Sequence, residues 1–352
     1  VTLVDTQGPG AGASGNAQGA LYVKLGVEFN DQTELALTSL TFAQRFYDRW
    51  RSQYWHPTGL LQLAHSPQEE DRQARFLQRN DYPRDILRPV NREQASALSG
   101  VPTQSGGLWF PDSGWLEPGN LCKNLADHPL ISTAFGVEVS RLLPGNGQWH
   151  ISTDGGSPIV ADRVVICSGH VSPRLIPVSG RFRLKAIRGQ VSHLPAKALI
   201  NPKTVICGNR YLNPALGDIA VTGATFDLWD DNPAPTSESH DENIRELSSM
   251  LPSVFNDEDG KPSGEDLGGR VAFRCTTHDY QPVAGPLFNG EDSCLERLFL
   301  LTGLGSKGLT YAPLLAEYLA DQLTGQPVCL PANLARRLQT RRLYQNDMAV
   351  SY

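Results

Sequence analysis

The sequence lacks paired cysteines, a long apolar run and an excess of positive charge. Its six cysteines form no C-x-x-C pair and show no metal-ligand spacing, so we expect reduced thiols and no metal site. No apolar stretch approaches the length of a membrane span, and no signal sequence is present, which together predict a cytoplasmic protein without a membrane partner. The formal net charge of -6 excludes a general polycation, so any nucleic-acid contact must come from a local patch.

A further absence concerns the front of the chain. Dinucleotide-binding α/β units open with a strand and a G-x-G-x-x-G turn, and their second strand ends in an acid that binds ribose. This chain instead opens on a short apolar strand that ends at Asp5, and a glycine-rich run follows at Gly12-Ala13-Ser14-Gly15. Backbone N–H groups of such a run can hold a pyrophosphate. We therefore expect a nucleotide-binding domain whose first strand is missing, with a flexible strand-turn as the alternative.

The length of 352 residues predicts more than one domain. Segments typical of nucleotide binding occur at the start, at 130–170 and at 298–323, and β-rich chain lies between them. We predict an α/β fold in which residues 1–55, 118–178 and 271–330 form a nucleotide-binding domain. Residues 56–117 and 179–270 form an inserted antiparallel-β substrate domain, and 331–352 form a tail.

Hydrophobic periodicity predicts the main elements. Helices are expected at 34–50, 118–127, 241–250 and 311–323, and residues 56–117 are expected to be irregular apart from short strands at 59–63 and 107–110. Further strands are expected at 130–133, 149–153, 164–167, 190–194, 205–207, 219–222 and 298–301.

The last of these strands leads into a cluster of glycines, Gly303, Gly305 and Gly308, ahead of the final predicted helix. A strand that enters such a turn directs helix N-terminal N–H groups and a partial positive charge at whatever lies there. A reduced flavin carries negative charge at its N1–C2 carbonyl edge and gains from such a site. The alternative is a turn that serves only packing.

Three groups of polar side chains have competing interpretations. The guanidinium of Arg274 could bind a carboxylate through two parallel hydrogen bonds, although an arginine exposed in a polar turn is more common. The hydroxyl of Tyr211 could help to hold the same carboxylate, or belong to a partly buried strand tyrosine. The four arginines between 336 and 342 favour a solvated helix face over a phosphate-binding patch.

Four motifs in order carry a family resemblance that runs from residue 1 to about 325. They are Gly12-Ala13-Ser14-Gly15-Asn16-x-Gln18-Gly19-Ala20-Leu21-Tyr22, Gly189-Gln190-Val191-Ser192-His193, Arg274-Cys275-x-Thr277-x-Asp279-x-x-Pro282 and Leu304-Gly305-Ser306-Lys307-Gly308-Leu309. The sequence resembles the FAD-dependent oxidoreductase modules of bifunctional tRNA 5-methylaminomethyl-2-thiouridine biosynthesis proteins. More broadly, it resembles the glycine oxidase and D-amino-acid oxidase superfamily.

The resemblance implies FAD as the cofactor, held in a Rossmann-like domain of the glutathione-reductase type. It places Asp5 at the ribose and a backbone group of Val137 at the adenine, and it assigns Arg274 and Tyr211 to the substrate carboxylate. The other cofactor-binding residues that it implies are Gly12, Ala13, Ser14, Gly15, Ser168, Gly169, Gly303, Gly305, Ser306, Lys307, Gly308 and Leu309.

The resemblance also implies an activity. The substrate that the resemblance implies is a tRNA wobble uridine with a carboxymethylaminomethyl group. Oxidation of this group is expected to release glyoxylate and leave an aminomethyl uridine. The family's methyltransferase module is absent from this sequence, so methylation is expected only from a fused or separate partner. Two alternatives stay open: an oxidase of free glycine or sarcosine-like amines, and a truncated module that binds no flavin.

Overall fold

A computed structural model of the chain describes residues 1–178, 182–256, 260–289 and 293–344. Its strands are β1 Thr2–Asp5, β2 Gly19–Leu21, β3 Trp55–His56, β4 Leu60–Leu63, β5 Arg88–Val90, β6 Gly107–Phe110, β7 Gly114–Leu116, β8 Ser132–Phe135, β9 Val139–Gly145, β10 Gln148–Thr153, β11 Ile159–Ala161, β12 Val164–Ile166, β13 Leu184–Pro195, β14 Val205–Cys207, β15 Tyr211–Leu212, β16 Ile219–Gly223, β17 Gly268–Thr277, β18 Val283–Asn289 and β19 Ser293–Thr302.

The α-helices are α1 Asp31–Tyr47, α2 Pro67–Arg79, α3 Arg92–Ser99, α4 Pro118–Ala126, α5 Ser237–Met250, α6 Gly308–Thr324 and α7 Ala332–Arg337. Short 3-10 helices occupy Asp48–Trp50, Gly169–Arg174, Ala196–Ala198, Gly264–Asp266 and Thr340–Leu343. None of the helices in the described ranges is long and apolar enough to cross a lipid bilayer.

Contacts divide the chain into two units. The first unit comprises Val1–Ser14, Cys122–Ile187 and Phe273–Tyr352, and the second comprises Gly15–Leu121 and Arg188–Ala272. The first unit is thus assembled from separated segments, as the sequence predicts. Contacts group residues 15–55 with the second unit, whereas the sequence assigned them to the nucleotide-binding domain. Contacts group the described part of the tail with the first unit, whereas the sequence made it a separate segment. The functional roles of the two units stay a prediction, and residues 345–352 of the tail lie outside the described residues.

In its described residues, the first unit contains three small sheets. Strands β1 and β8 pair in parallel, and β12 pairs in parallel with β19, which in turn pairs antiparallel with β18. Strands β9, β10 and β11 form an antiparallel sheet. An apolar cluster that includes Trp149, Ile166, Val283 and Leu300 packs within this unit. Parallel pairs place the carboxyl ends of their strands at one edge, where α/β proteins bind ligands.

The second unit is built on a large sheet in the order β17-β13-β16-β15-β14-β4-β6-β5, although contacts assign residues 184–187 of β13 and 273–277 of β17 to the first unit. Its pairs from β13 to β5 are antiparallel except for the parallel pair β14–β4. Helix α5 contributes Ile244, Leu247 and Met250 to a buried cluster with sheet residues such as Leu61 and Ile206. The α/β class and the predominantly antiparallel second region are therefore confirmed.

The main error of the sequence prediction lies between 56 and 117. This stretch was expected to be largely irregular, but it contains two helices and four complete strands. Helix α3 starts with a capping box between Asn91 and Gln94 and ends at Gly100, which adopts a left-handed conformation. Ser66 caps the N-terminus of α2, because its side chain accepts the N–H of Glu69. Both helices contain few large apolar residues, and the capping signals at Ser66 and Asn91 were the sequence features that pointed to them.

Candidate functional site

The ends of β1 and β8 bring two predicted residues together. Asp5 is the last residue of β1 and pairs with Phe135, and the N–H of Val137 donates to the Asp5 carbonyl oxygen at 3.2 Å. The Asp5 carboxylate faces the loop that follows, because its Oδ1 accepts the N–H groups of Gln7 and Gly8, each at 2.8 Å. These two hydrogen bonds fix the orientation of the Asp5 carboxylate, so its other oxygen, Oδ2, is suited to accept hydrogen bonds from hydroxyl groups of a ligand.

A cavity of about 380 Å³ lies beside strand β8 in the first unit. It is lined by Pro9, Lys123, Ala126, Asp127, His128, Ile131, Thr133 and Phe135. The lining includes apolar side chains, the cation Lys123 and the anion Asp127. The strand that pairs with Asp5 therefore also forms one wall of an open concave surface.

A second set of strand ends meets at Gly169. This glycine follows β12 and Ser168, has φ of +60°, and its carbonyl oxygen accepts the hydroxyl of Thr302 at 3.2 Å. The same hydroxyl lies 3.3 Å from Sγ of Cys275, which is 8% exposed. Burial raises the pKa of the Cys275 thiol, so this group is neutral near pH 7 and serves packing rather than nucleophilic chemistry. Thr302 thus ties the ends of β12, β17 and β19 together.

The predicted glycine turn after β19 is tightly constrained. Gly303 and Gly305 have φ of +74° and +57°, and the N–H of Gly305 donates to the Cys275 carbonyl oxygen at 2.8 Å. A Cβ added to Gly303 would meet Cγ2 of Thr277 at 2.8 Å, so no other residue fits without a shift. A Cβ on Gly308 would meet no atom closer than Leu304 at 4.0 Å. Gly303 is therefore a packing and backbone requirement, whereas Gly308 has open space beside it.

Helix α6 begins directly after this turn. The Lys307 N–H donates to the Leu304 carbonyl oxygen at 3.1 Å, and the Lys307 carbonyl oxygen accepts the N–H groups of Thr310 and Tyr311. Ser306 and Lys307 thus lie in the turn, and Gly308 and Leu309 open a helix of 17 residues. The first turn of such a helix presents backbone N–H groups and a partial positive charge.

The glycine-rich run at the front is divided between the units. Gly12, Ala13 and Ser14 belong to the first unit, and Gly15 belongs to the second. No atom lies within 4 Å of a Cβ added to Gly12, so the backbone there borders open space.

Two side chains hold the second-unit part of this run. Gln18 is 1% exposed, and its amide accepts the Val221 N–H at 3.1 Å and donates to the Pro214 carbonyl oxygen at 2.8 Å. Asn16 accepts a hydrogen bond from Arg270 at 3.2 Å. Sequence reasoning did not assign a role to Gln18, although its place inside the glycine-rich run was a signal.

The two predicted carboxylate-binding residues lie on separate elements. Arg274 is half-buried on β17 next to Cys275, so its side chain points to the opposite face of that strand. Tyr211 is half-buried at the start of β15, where it pairs with Cys207 and with Gly223. Arg274 belongs to the first unit and Tyr211 to the second. Their joint role remains a prediction.

The tail arginines differ from the predicted solvated face. Arg342 binds the carboxylate of Asp279 with Nη2 at 2.8 Å from each oxygen, and it also donates to the Pro282 carbonyl oxygen at 3.1 Å. Burial opposes ionisation of Asp279, but the hydrogen bonds from Arg342, Thr277 and the Gln281 N–H, together with the charge of Arg342, outweigh it, so the pKa of this carboxyl is lowered. Arg341 stacks over the ring of Phe288 at 4.1 Å. The prediction is therefore wrong for Arg342, which holds the turn that follows Arg274.

Comparison with known proteins identifies the family. The family described as FAD dependent oxidoreductase matches residues 1–322. The chain belongs to this family. FAD is accordingly its cofactor, and the family resemblance read from the four motifs is confirmed.

Curated relatives in this family cover most of the chain. A protein of Marinobacter nauticus named tRNA 5-methylaminomethyl-2-thiouridine biosynthesis bifunctional protein MnmC is 55% identical over 99% of this chain and 56% of its own length. A protein of the same name from Hahella chejuensis is 34% identical over 95% of this chain and 54% of its own length. The chain therefore spans about half the length of these relatives.

Solved structures show the same fold at low identity. Glycine oxidase from Geobacillus kaustophilus superposes with a TM-score of 0.76 at 20% identity, and covers 95% of this chain and 91% of its own. Iminodiacetate oxidase from a Chelativorans species gives a TM-score of 0.75 at 20% identity, and covers 96% of this chain and 92% of its own. The predicted FAD-binding fold is confirmed by these likenesses.

The residues at the strand ends fit FAD. A carboxylate stands at the end of β1, and a glycine turn with left-handed residues stands at the end of β19. A buried hydroxyl adds to them, because Oγ1 of Thr276 has no hydrogen-bond partner among the described residues. A buried polar atom of this kind is suited to meet a polar ligand atom. The individual cofactor contacts stay predictions.

Proposed function

We propose that the chain oxidises the carboxymethylaminomethyl group on a tRNA wobble uridine and, with water, releases glyoxylate and leaves an aminomethyl uridine. The observation that carries this proposal is the 55% identity over 99% of the chain to a relative named for 5-methylaminomethyl-2-thiouridine biosynthesis. The bond that is oxidised is a CH–NH bond, because the group is an N-substituted glycine. The substrate therefore offers a carboxylate as a handle close to the reacting carbon.

The cofactor would be held by groups from four strand ends. Asp5 would accept hydrogen bonds from ribose hydroxyls, and the backbone at Val137 would meet the adenine. The run from Gly12 to Gly15 would contact the pyrophosphate through backbone N–H groups. Ser168 and Gly169 after β12, and the turn from Gly303 to Leu309, would surround the ring system. When bound, FAD supplies the two-electron oxidation of the CH–NH carbon.

The chain's own contribution is to orient the substrate. Arg274 would clamp the carboxylate through two N–H groups, since its planar fork matches carboxylate geometry. Tyr211 would donate its hydroxyl to the same carboxylate. Fixing the carboxylate in two places leaves the adjacent methylene group in one orientation, and such positioning lowers the barrier.

The partial positive charge at the first turn of α6 would favour a reduced, negatively charged cofactor. The product also suggests the partner. An aminomethyl group differs from the methylaminomethyl group in the relatives' name by one methyl group. A methyltransferase, fused or separate, would therefore act next, and tRNA would be the shared substrate.

The test uses the flavin-loaded chain and tRNA that carries the carboxymethylaminomethyl uridine. Glyoxylate release and the mass of the wobble nucleoside are measured for the wild type and for Arg274→Ala. Loss of a bidentate charged interaction costs about 2–4 kcal/mol, so kcat/KM should fall roughly 30- to 1000-fold. Arg75→Ala, on the outer face of α2, is the matched control and should keep full activity. Both variants should keep their flavin.

Two results would contradict the proposal. Full activity of Arg274→Ala with its flavin bound would show that Arg274 does not bind the substrate carboxylate. Rapid oxidation of free glycine or sarcosine by a protein that leaves the tRNA nucleoside unchanged would establish an oxidase of free amino acids instead.

A further inference from the structure

The C-terminal end of α1 carries a local excess of positive charge in a chain whose net charge is -6. Between residues 35 and 68 the sequence has three arginines, Arg45, Arg49 and Arg51, and a single acid, Asp48. All three arginines are exposed. We call residues Arg45–Arg51 the α1-end patch. It is a local patch of the kind that an acidic chain needs in order to contact a polyanion.

Aromatic rings are interleaved with these arginines. The guanidinium carbon of Arg49 lies 4.8 Å from the centre of the Phe46 ring and 5.0 Å from that of Trp50. The two rings are 5.4 Å apart with their planes inclined at 53°, and both are half-buried. The patch therefore presents a guanidinium plane and two partly accessible rings side by side.

The core holds this arrangement in place. Tyr47 is 3% exposed and contacts Phe46 edge-on at 5.4 Å, and its ring lies 6.3 Å from that of Trp55, which is 1% exposed. Within the patch, Arg51 binds Asp48 at 2.7 Å, so the one acid is neutralised locally. The rings are thus ordered before any partner binds, which reduces the entropy lost on binding.

We propose that the α1-end patch binds a single-stranded segment of the tRNA substrate, with phosphates at Arg45 and Arg49 and a nucleobase stacked at Trp50. This proposal rests on the proposed function, because it takes tRNA as the substrate. Single-stranded RNA is recognised by stacking of unpaired bases on aromatic rings and arginine planes, together with phosphate contacts.

The chemistry of the patch favours RNA over a protein partner. Its cations are all arginines, whose planar group both stacks and binds phosphate in two places, and it contains no lysine. The tail arginines provide a contrast within the chain. Arg342 is already bound to the carboxylate of Asp279 and holds a turn of this chain.

The experiment measures tRNA binding directly and needs no turnover. Fluorescence anisotropy of labelled tRNA is recorded at several salt concentrations for wild type, Arg45→Ala/Arg49→Ala and Trp50→Ala. We expect at least tenfold weaker binding in the double variant, and a salt slope reduced by about 0.7 for each phosphate that is no longer neutralised. Trp50→Phe should retain most of the affinity, because it keeps an aromatic ring. Arg75→Ala removes an exposed helical charge elsewhere in the same unit and should bind like the wild type.

A kinetic readout separates this surface from the catalytic site. With a mononucleoside that carries the carboxymethylaminomethyl group, the patch variants should turn over at the wild-type rate, while KM for tRNA rises. Unchanged tRNA affinity and salt slope in the double variant would overturn the proposal, as would an equal loss of mononucleoside turnover. If the wild type binds tRNA through the patch but oxidises neither substrate, the proposed function would be refuted and the proposal of tRNA binding at the patch would be supported.

Discussion

One loop in each unit shows how differently a loop can be held. In the first unit, the turn after β19 is shaped by the backbone conformation of Gly303 and Gly305 and by a main-chain hydrogen bond from Gly305 to Cys275. In the second unit, a buried polar side chain holds the loop from 227 to 234. Arg188 is 1% exposed, and its guanidinium donates to the carbonyl oxygens of Asn232 at 2.8 Å and Ala234 at 2.9 Å.

This difference matches what the two kinds of loop have to do. A turn that approaches a cofactor needs bare backbone N–H groups, so side chains must be absent from it. A loop that needs one fixed shape can be tied down by a single long side chain with several donors. Arg188 also pairs with Asp227 and Asp230, both at 3.3 Å, so one residue fixes most of the acidic loop from 227 to 234. Loss of the Arg188 side chain should therefore cost more than the addition of one methyl group to the turn after β19.

The largest expected effect comes from Arg188→Met. The substitution keeps an apolar stem but leaves two carbonyl oxygens and two carboxylates without their donor. We expect the free energy of unfolding of the second unit to fall by roughly 3–5 kcal/mol, the cost of breaking a buried charged network. Urea unfolding followed by circular dichroism measures it, and Arg75→Met serves as the exposed control. A decrease under about 1 kcal/mol would remove the basis of the comparison.

The next effect concerns Glu69 on α2, which is 5% exposed. Burial opposes its ionisation, but hydrogen bonds from Arg72, Lys24 and Gln73 outweigh it and lower the pKa of the carboxyl to about 2. Because the folded pKa lies below the unfolded value, this stability is present above about pH 4.5 and lost as pH falls towards 2.

The contribution of Glu69 is on the order of 3 kcal/mol. Urea midpoints between pH 6 and pH 3 should therefore fall less steeply in Glu69→Gln than in the wild type. Glu70→Gln, an exposed neighbour, should keep the wild-type slope. Parallel pH profiles for the wild type and Glu69→Gln would contradict the assignment.

In the first unit, Gly303→Ala tests the role of backbone conformation. The left-handed φ of +74° and the close approach to Thr277 should together cost about 1–3 kcal/mol. Gly308→Ala is the matched control, because the space beside Gly308 is open, and its unfolding should be unchanged. The larger Gly308→Val should lower the flavin content without a loss of circular dichroism signal. Equal flavin content in wild type and Gly308→Val would place the cofactor elsewhere.

The smallest expected effect is the pH dependence from His240, which is 3% exposed with Nδ1 at 2.7 Å from Oγ of Ser192. Burial lowers its pKa, the neighbouring His193 lowers it further, and Asp241 acts in the opposite direction. A histidine kept neutral by the fold contributes full stability above its unfolded pKa of about 6.5 and loses it as pH falls below that value.

For this histidine, the decrease in urea midpoint from pH 7.5 to pH 5.5 should be smaller in His240→Gln than in the wild type. His128→Gln, at an exposed position, should behave like the wild type. An unchanged decrease in His240→Gln would assign the pH dependence to other groups.

Local sequence signals predicted many of the elements well. The strands 107–110 and 205–207 were predicted with their observed bounds, and the helix predicted at 118–127 matches α4 to within one residue. The two strands are short apolar runs, and the helix begins at a proline, so each signal lies in residues that are adjacent along the chain. Helix α2 was missed because its buried residues include Glu69 and Gln73, and the polar partners that make their burial favourable come from other segments.

The sequence alone determined which segments end in an acid or a glycine turn, and through its motifs it determined the family and the cofactor. Those features are encoded in residues adjacent along the chain. The tertiary structure alone decided that Val137 meets Asp5, that Thr302 meets Gly169 and that Arg342 holds Asp279. These pairs are 132, 133 and 63 residues apart. Contacts at such separations depend on which strands pair and in which register, and those are properties of the packed fold rather than of any local stretch.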